Sequence, residues 1–551
     1  LLRPQVSLKL LPNKKNKSYF SLDELMDYSW QVAIGDTFVS KSEFEQLTQT
    51  TLGLVKIRDQ YMMVSENEVT KIIRELEKPV TPGSFQLLQA ALSGEYKNAA
   101  VQIDEELKKQ IKNLLKEEET PLPPSLCATL RPYQIRGFNW IYKNAQLGLG
   151  SLLADDMGLG KTLQVIAAIL KLKEDGALKN KPVLVIVPTT LLTNWMNEIQ
   201  KFAPDLRVLI FHGAGRKFTV QDVDVIITTY GIARTDNEKL SKKDWHIMVV
   251  DEAQNIKNPD VAQTKAIKKI KAKIKIAMSG TPVENRLSEY WSIFDFANPN
   301  YLGGINWFNA EYAKPIEINQ DRKKLEKFKL ITSPFIMRRL KTDKNIISDL
   351  PNKVENNQFC NLTKEQAAMY QNITFDLMRQ VETAGNIQRR GLILKLLTIL
   401  KQVCNHPSQY LKNDSLNPEL SGKTMLLLQL LDTIYENNEK VLIFSQYREM
   451  GDILRQIIHS HFGKKALQLH GGCSRKERDE MVHTFQNNKQ YDTFILSIKA
   501  GGTGLNLTAA ANVIHYDLWW NPAVESQATD RAFRIGQKQN VMVHPPFQAL
   551  L

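Results

Sequence analysis

An α/β fold with two parallel-sheet lobes, preceded by a small α+β domain, is what this 551-residue sequence predicts. Three observations carry that reading. A single hydrophobic core stops growing at roughly 250 to 300 residues, so a chain of this length divides. Two separate series of short apolar runs alternate with helical patterns, which is how buried parallel strands with right-handed crossovers read in sequence. The first 120 residues lack that rhythm and show hairpin signals instead.

Within that first segment, Trp30, Val32 and Ile34 alternate with polar neighbours before the Gly35-Asp36 turn, and a second alternating pair of runs flanks Asp59-Gln60. Ser40 with Glu43 forms a capping box ahead of an amphipathic stretch ending near Leu47. The stretch EEETPLPP, 117–124, joins a charge run to prolines and reads as a linker. From Leu130 the runs SLLAD, PVLVIVP, RVLIFH, DVIITTY, IMVVDE and KIAMSG mark a first lobe over 121–300. The runs KVLIFSQY, KALQLHG, DTFILSIKAG and NVIHYD mark a second over 425–551, ending short. Residues 301–424 between them have helical periodicity, with Thr363 and Gln366 as another capping box, and read as helical insertions and an interlobe linker.

Composition narrows the function classes. At 43% apolar and 24% charged residues the chain is globular, and no apolar run reaches the roughly 18 to 20 residues that span a bilayer. Neither a membrane partner nor a signal peptide is expected, and a cytoplasmic protein is. Because it begins at Leu1, the chain is expected to be a fragment or a processed form. The formal charge of +13 suits a polyanionic partner, nucleic acid first. Cys127, Cys360, Cys404 and Cys473 have no paired spacing, so reduced and mostly buried thiols are expected rather than zinc or disulfides.

The chemistry begins at LLADDMGLGKT, 152–162, where a strand gives way to a helix opening near Lys161. Gly158 and Gly160 permit a tight turn whose N–H groups, with those of Asp156, Met157 and Leu159, face a phosphate at a helix N-terminus. Lys161 then reaches the β- and γ-phosphates of ATP, and Thr162 offers a hydroxyl to Mg2+. Asp155 stands where the generic pattern has its first glycine. Further on, the run IMVV delivers Asp251 and Glu252 to a strand end, where Asp251 can hold the Mg2+ shell and Glu252 orient and deprotonate the attacking water. An acidic turn without chemistry is the alternative for the pair alone.

In order from Leu130 to Gln537, these segments resemble the Swi/Snf family of helicase superfamily two. The resemblance implies two RecA-like lobes of the P-loop NTPase class and a DNA-dependent ATP hydrolase that translocates on double-stranded DNA without obligatory strand separation. LRPYQIRGFNW resembles the adenine-side motif, which makes Gln134 the expected adenine reader. SGTPVEN, 279–285, resembles the coupling motif, with Ser279, Gly280 and Thr281 its expected members. FSQY, LHGGCSRKER, KAGGTGLNL and QATDRAFRIGQ resemble the second-lobe motifs. The last places Arg531 and Arg534 one helical turn apart, as arginine fingers for a γ-phosphate, with Gln527 a coupling residue. The first 120 residues are similar to the accessory domain of the family's bacterial branch.

For DNA, the resemblance points to Pro188, Thr189 and Thr190 with Trp195 nearby, and to Thr228, Thr229, Tyr230 and Gly231. In the second lobe it points to Gly501, Gly502, Thr503 and Gly504, whose backbone allows close phosphate approach, and to Trp520. Core packing is preferred for Trp519; for Trp520 both packing and DNA contact stand. Lysines 265, 268, 269, 271, 273 and 275 read as a solvated helix face, with DNA contact the lesser alternative. Arg338 and Arg339 match a family element without an assigned role. Two departures stand out: Phe533 replaces a frequent histidine, and the chain ends in PPFQALL where a strand and a bracing helix are usual. The expected partners are double-stranded DNA and DNA-bound proteins such as RNA polymerase, with a monomer acting at the nucleoid. A polymerase-recycling motor, an RNA-directed helicase and a DNA-binding scaffold with weak ATPase are the rival readings.

Overall fold

The computed structural model describes residues 4–13, 26–34, 37–49, 53–57, 60–77, 82–96, 99–116, 118–179, 181–213, 215–218, 221–280, 286–341, 343, 353–383, 385–413, 415–498, 505–517, 519, 521–534, 536–537, 539–545 and 548–550. The chain divides into two compact units. The first holds Leu1–Asp155 with Lys161–Arg339, and the second holds Asp156–Gly160 with Leu340–Leu551.

In the first unit, β1 (Pro4–Pro12), β2 (Met26–Ile34), β3 (Thr37–Val39), β6 (Glu95–Tyr96) and β7 (Ala99–Ile103) form a mixed sheet in the order β3-β2-β1-β7-β6. β1 runs antiparallel to β2, with Leu8 opposite Trp30, and parallel to β7. Both expected hairpins form: β2 pairs β3, and β4 (Gly53–Ile57) pairs β5 (Gln60–Val64). Ser40 Oγ accepts from Glu43 N at 3.3 Å while Glu43 Oε2 accepts from Ser40 N at 2.7 Å, so the capping box opens the helix Lys41–Gln49.

The larger sheet of this unit has seven parallel strands: β8 (Ser151–Leu153), β9 (Val183–Val187), β10 (Val208–Ile210), β11 (Val225–Thr229), β12 (Trp245–Val250), β13 (Ala272–Met278) and β14 (Ile336–Met337), in the order β10-β11-β9-β12-β13-β8-β14. Every residue of β9, β11 and β12 is buried, because helices cover both faces. Ile247 and Val249 join Val165, Ile169 and Trp195 on one side, and Met248 and Val250 join Ile293 and Phe294 on the other.

The first lobe does not stop near residue 300 as the sequence suggested. β14 pairs parallel with β8, Ile336 opposite Leu152, so the segment expected to be linker completes the sheet and the unit runs to Arg339. Phe328, Ile331 and Phe335 pack into its core beside Phe294 and Tyr301, which is what anchors that return.

The larger sheet of the second unit has six parallel strands: β15 (Lys353–Glu355), β17 (Val441–Ser445), β18 (Ala466–Leu469), β19 (Thr493–Ser497), β20 (Asn512–His515) and β21 (Val541–His544), ordered β15-β21-β20-β17-β19-β18. β15 again comes from the segment expected to be helical insertion. Thr363 and Gln366 cap the helix Lys364–Thr383 as the sequence indicated. The VMVH of QNVMVH is itself β21, paired with β20, and within the PPFQALL that follows β22 (Gln548–Leu550) pairs with β16 (Phe359–Asn361). Among the described residues no helix is long and apolar enough to cross a membrane. Of the cysteines Cys360 is buried, Cys404 and Cys473 are half-buried and Cys127 is exposed; all are free thiols.

Candidate functional site

In a parallel sheet, every strand delivers its C-terminal end to the same edge. β8 is followed there by Asp155–Gly160, β9 by Pro188–Thr190, β11 by Tyr230, β12 by Asp251 and β13 by Ser279. The chemistry-bearing residues of the first unit therefore converge because of topology, not because of proximity in sequence.

Gly158 and Gly160 take φ of 81° and 70°, the left-handed region that makes the phosphate-type turn, and Lys161 opens the helix Lys161–Glu174. Lys161 Nζ donates to the Asp155 carbonyl at 2.7 Å, and Thr162 follows on the first turn. Asp155 is not spare. Its Oδ1 accepts from Arg339 N at 3.0 Å and Nε at 2.9 Å, and its Oδ2 pairs with Nη2 of the same arginine. Arg339 Nη2 also donates to Gln164 Oε1 at 2.7 Å. This buried pair ties the start of the turn to the strand end of β14, which gives Arg339 a role and leaves Arg338 exposed. Gln134, expected to read adenine, is buried, and its Oε1 accepts from Arg131 N at 2.9 Å at the helix start.

Asp251 and Glu252 are buried at the end of β12. Asp251 Oδ1 accepts from Glu252 N at 2.8 Å and its Oδ2 from Trp195 Nε1 at 2.8 Å. Burial first, then the neighbouring Glu252 carboxylate, push Asp251 up to about 7, against the Trp195 hydrogen bond and the Lys161 ammonium. Glu252 sits at φ 51°, ψ 57°, a left-handed conformation costly for a residue with a side chain. Its Oε2 accepts from Gln254 Nε2 at 2.9 Å, and Gln254 Oε1 accepts from Ser279 Oγ at 3.1 Å. Ser279 and Gly280 are buried beside this chain of bonds; Thr281 lies outside the described residues.

The nucleic-acid residues divide. Pro188 and Thr190 are half-buried and Thr189 is exposed. Trp195, expected near that loop surface, is instead fully buried in service of Asp251. Thr228, Thr229 and Tyr230, named with Gly231 for the DNA side, are also buried, with their hydroxyls turned inward. Thr228 Oγ1 donates to the Phe211 carbonyl at 2.8 Å, Thr229 Oγ1 caps Ile232 N, and Tyr230 Oη donates to the Asp251 carbonyl at 2.7 Å. Only Gly231 of that segment is exposed. Gly501, Gly502, Thr503, Gly504 and Trp520 lie outside the described residues; Trp519 packs against the second-unit core.

In the second unit the helix Pro522–Thr529 carries Gln527 but ends before either arginine, so Arg531 and Arg534 are not on one helical face. They lie on a tight turn in which Phe533 N donates to the Thr529 carbonyl and Gln537 N to that of Arg534. Gln537 Nε2 holds the turn, donating to the Ala510 carbonyl at 2.8 Å. Within this unit, which includes Asp156–Gly160, Arg531 Nη2 lies 3.5 Å from Met157 Sδ. A Cβ on Gly158 would stand 2.6 Å from that of Arg534, so glycine is needed there for contact as well as for φ. Lys341 N donates to Asp156 Oδ2 at 2.9 Å, and its ammonium bonds Asp530 Oδ1 at 2.8 Å and rests 5.1 Å from the Phe533 ring centre. Phe533 in place of histidine is thus a cation–π platform.

The basic run also departs from expectation. Lys265, Lys268 and Lys269 ride the helix Ala262–Lys269, whereas Lys273 and Lys275 belong to β13 and Lys275 is buried.

Comparison with known proteins agrees with the family resemblance. A model of the SNF2-related domain matches residues 133–409, one of the helicase conserved C-terminal domain matches 422–536, and one described as SNF2 helicase protein matches 2–92. A putative ATP-dependent helicase/translocase of Bacillus subtilis is 41% identical over 97% of this chain and 61% of its own length. A human SWI/SNF-related, matrix-associated, actin-dependent regulator of chromatin, subfamily A member 1, is 35% identical over 75% of this chain and 41% of its own. The Sulfolobus solfataricus SWI2/SNF2 ATPase core in complex with dsDNA is 44% identical, with 78% of this chain and 89% of that one covered and a TM-score of 0.44. The chain thus spans about three-fifths of the bacterial relative and two-fifths of the human one. It belongs to the SNF2 family, with an SNF2-related domain followed by a helicase conserved C-terminal domain.

Proposed function

We propose that this chain is a DNA-stimulated ATPase that moves along double-stranded DNA and remodels protein–DNA complexes without having to separate the strands. One observation carries the reading: the strained Glu252 and the buried Asp251 at the end of β12 are joined by Tyr230 to the start of the helix Tyr230–Thr235 that follows β11. A group touching Gly231 from outside would act on the backbone of the two carboxylates through a single hydrogen bond, which is a physical route from polymer to hydrolysis.

In this reading Lys161 binds the β- and γ-phosphates of ATP, Gln134 faces the adenine, and Glu252 takes the proton of the attacking water. Arg531 and Arg534 supply positive charge to the γ-phosphoryl group. Mg2+, when bound, would neutralise the phosphates. Asp251 and Thr162 fit it, because a carboxylate and a hydroxyl are hard oxygen donors of the kind such an ion takes alongside phosphate and water. Trp195 orients that carboxylate, so Trp195→Phe should raise the Mg2+ concentration for half-maximal ATPase by about ten- to a hundred-fold. Steady-state rates against Mg2+ measure it; an unchanged midpoint would show that the indole only packs.

On the DNA side, Pro188, Thr189, Thr190 and the backbone at Gly231 in the first unit, and Gly502, Thr503 and Trp520 in the second, are each proposed to contact the duplex. The cargo is a DNA-bound protein such as RNA polymerase, and the protein acts as a monomer at the nucleoid. ATPase rates with duplex DNA, single-stranded DNA, RNA and no polymer test the proposal side by side. Duplex should stimulate most, and its affinity should fall with salt at a slope of roughly −0.9 per phosphate neutralised. Stronger stimulation by RNA, whose A-form groove differs, would assign the chain to RNA instead.

A further inference from the structure

The edge of the seven-stranded sheet opposite the proposed ATP site carries a second concentration of charge. β8 and β13 begin there, and a seven-residue strand rising about 3.3 Å per residue sets this edge roughly 20 Å from the strand end at Met278. Between the starts of the two strands lies a concavity of about 390 Å³, with Gly148, Gly150, Ala297 and Pro299 on its walls and Lys268, Lys271, Lys273 and Lys275 around it.

The site is built rather than incidental. Lys275 is 9% exposed, its ammonium stands 5.2 Å from the Phe296 ring centre, and it makes no hydrogen bond or ion pair among the described residues. Strand alternation puts Lys273 on the same face, and Lys271 and Lys273 are exposed and likewise unpaired among the described residues. Lys268 is held 2.8 Å from Asp295, so four ammonium groups meet one carboxylate. The wall is rigid: Gly150 N donates to Asn298 Oδ1 at 2.9 Å, Asn298 Nδ2 donates back to the Gly150 carbonyl at 3.2 Å, and a Cβ on Gly150 would stand 2.1 Å from the Ala297 carbonyl oxygen. The excess charge registers on its neighbours. Burial first, then Lys273 and Lys181, lower His246, and burial with Lys268 lowers Lys275 to about 8 against the pull of Asp295. A buried cation without a partner is costly and is ordinarily paired or replaced. An anion entering the concavity would pair it.

We propose that this concavity binds a small phosphorylated anion, at a site separate from the ATP site, with Lys275 at its floor and Lys271 and Lys273 at its rim. A pocket with a buried charge at its base fits a compact polyphosphate better than a duplex, whose backbone phosphates follow a groove.

Inorganic tripolyphosphate is the probe, with calorimetric titration of the whole chain. Two equivalents should bind, one at the turn before Lys161 and one here. Lys161→Ala and Lys275→Met should each leave one. Lys275→Met swaps a buried lone cation for an apolar side chain of similar length, a change that cores accept, and retained ADP binding confirms its fold. Should that variant fail to fold, the exposed pair Lys271→Ala/Lys273→Ala carries the test, with affinity at this site down about ten-fold from the loss of two solvent-exposed ion pairs. Two equivalents persisting in Lys275→Met, or full affinity in the double variant, would overturn the site. So would a single equivalent in the unaltered protein that Lys161→Ala abolishes. A 20-base-pair duplex losing about ten-fold in affinity in the same variants, while tripolyphosphate stoichiometry stays put, would make the lysines a DNA contact and overturn the small-anion assignment.

Discussion

Arg534→Ala should cut duplex-stimulated ATP turnover by about 10³- to 10⁵-fold while changing nucleotide affinity by less than about ten-fold. Ground-state contacts to ATP in the proposed mechanism come from Lys161, Thr162, Gln134 and the turn around Gly158, and none of them passes through Arg534. The guanidinium would act where charge spreads over the transferring phosphoryl oxygens, so its loss falls on the transition state. Locally the substitution is mild, since Arg534 Nη1 donates to the Leu505 carbonyl at 3.1 Å and the turn is held independently by Gln537. Arg531→Ala should behave similarly, and the double variant should cost less than the product of the two, because both residues serve one state. Steady-state kinetics beside ADP titration check this. Turnover within a few-fold of the unaltered protein would remove the arginine from the chemistry.

Much of the fold was legible because it depends on local pattern. The runs VLVIV, VIITT and WHIMVV are strands since unbroken β-branched and apolar stretches suit a sheet covered on both faces. The turn at Gly158 and the carboxylates after β12 were legible for the same reason. The contacts that position them were not. Trp195 reaches Asp251 across 56 residues and Arg339 reaches Asp155 across 184, separations over which no sequence period operates. A Thr-Thr-Tyr triplet at a strand end reads as a polar surface loop, yet its hydroxyls turn inward to bond the Phe211 and Asp251 carbonyls and Ile232 N. Lys275 was misjudged through the wrong period: among closely spaced lysines it looks helical, but β13 alternates and buries it. Arg531 and Arg534 sit three apart as on a helix, while the helix stops at Thr529. The one available signal for Arg339 was Asp155 itself, an acidic residue in a phosphate-binding turn that needs a cation to neutralise it.

Glu252→Gln should lower ATP turnover by about 10²- to 10⁴-fold with nucleotide binding retained, because an amide keeps the shape and the acceptor of the carboxylate but cannot take a proton from water. The geometry favours a clean result. Gln254 Nε2 donates to Glu252 Oε2, a bond the amide oxygen of the variant can keep, and the left-handed backbone is unaffected by the change. Stability then separates lost chemistry from lost structure. Asp251 is raised to about 7 by burial first and by the Glu252 carboxylate second. A carboxyl raised above its unfolded value binds more protons folded than unfolded between the two values, so stability falls as pH rises through that window and the penalty is complete above about 7. Removing the Glu252 charge relieves the second cause. Urea unfolding at pH 8 should therefore find Glu252→Gln at least as stable as the unaltered protein, with the advantage vanishing toward pH 4, where Asp251 is protonated in the folded state. An inactive variant that is more stable at pH 8 is the signature of a strained, like-charged pair kept for catalysis. Near-normal turnover in that same stable variant would instead place the general base elsewhere, leaving Glu252 a structural member of the bond chain from Tyr230 to Ser279.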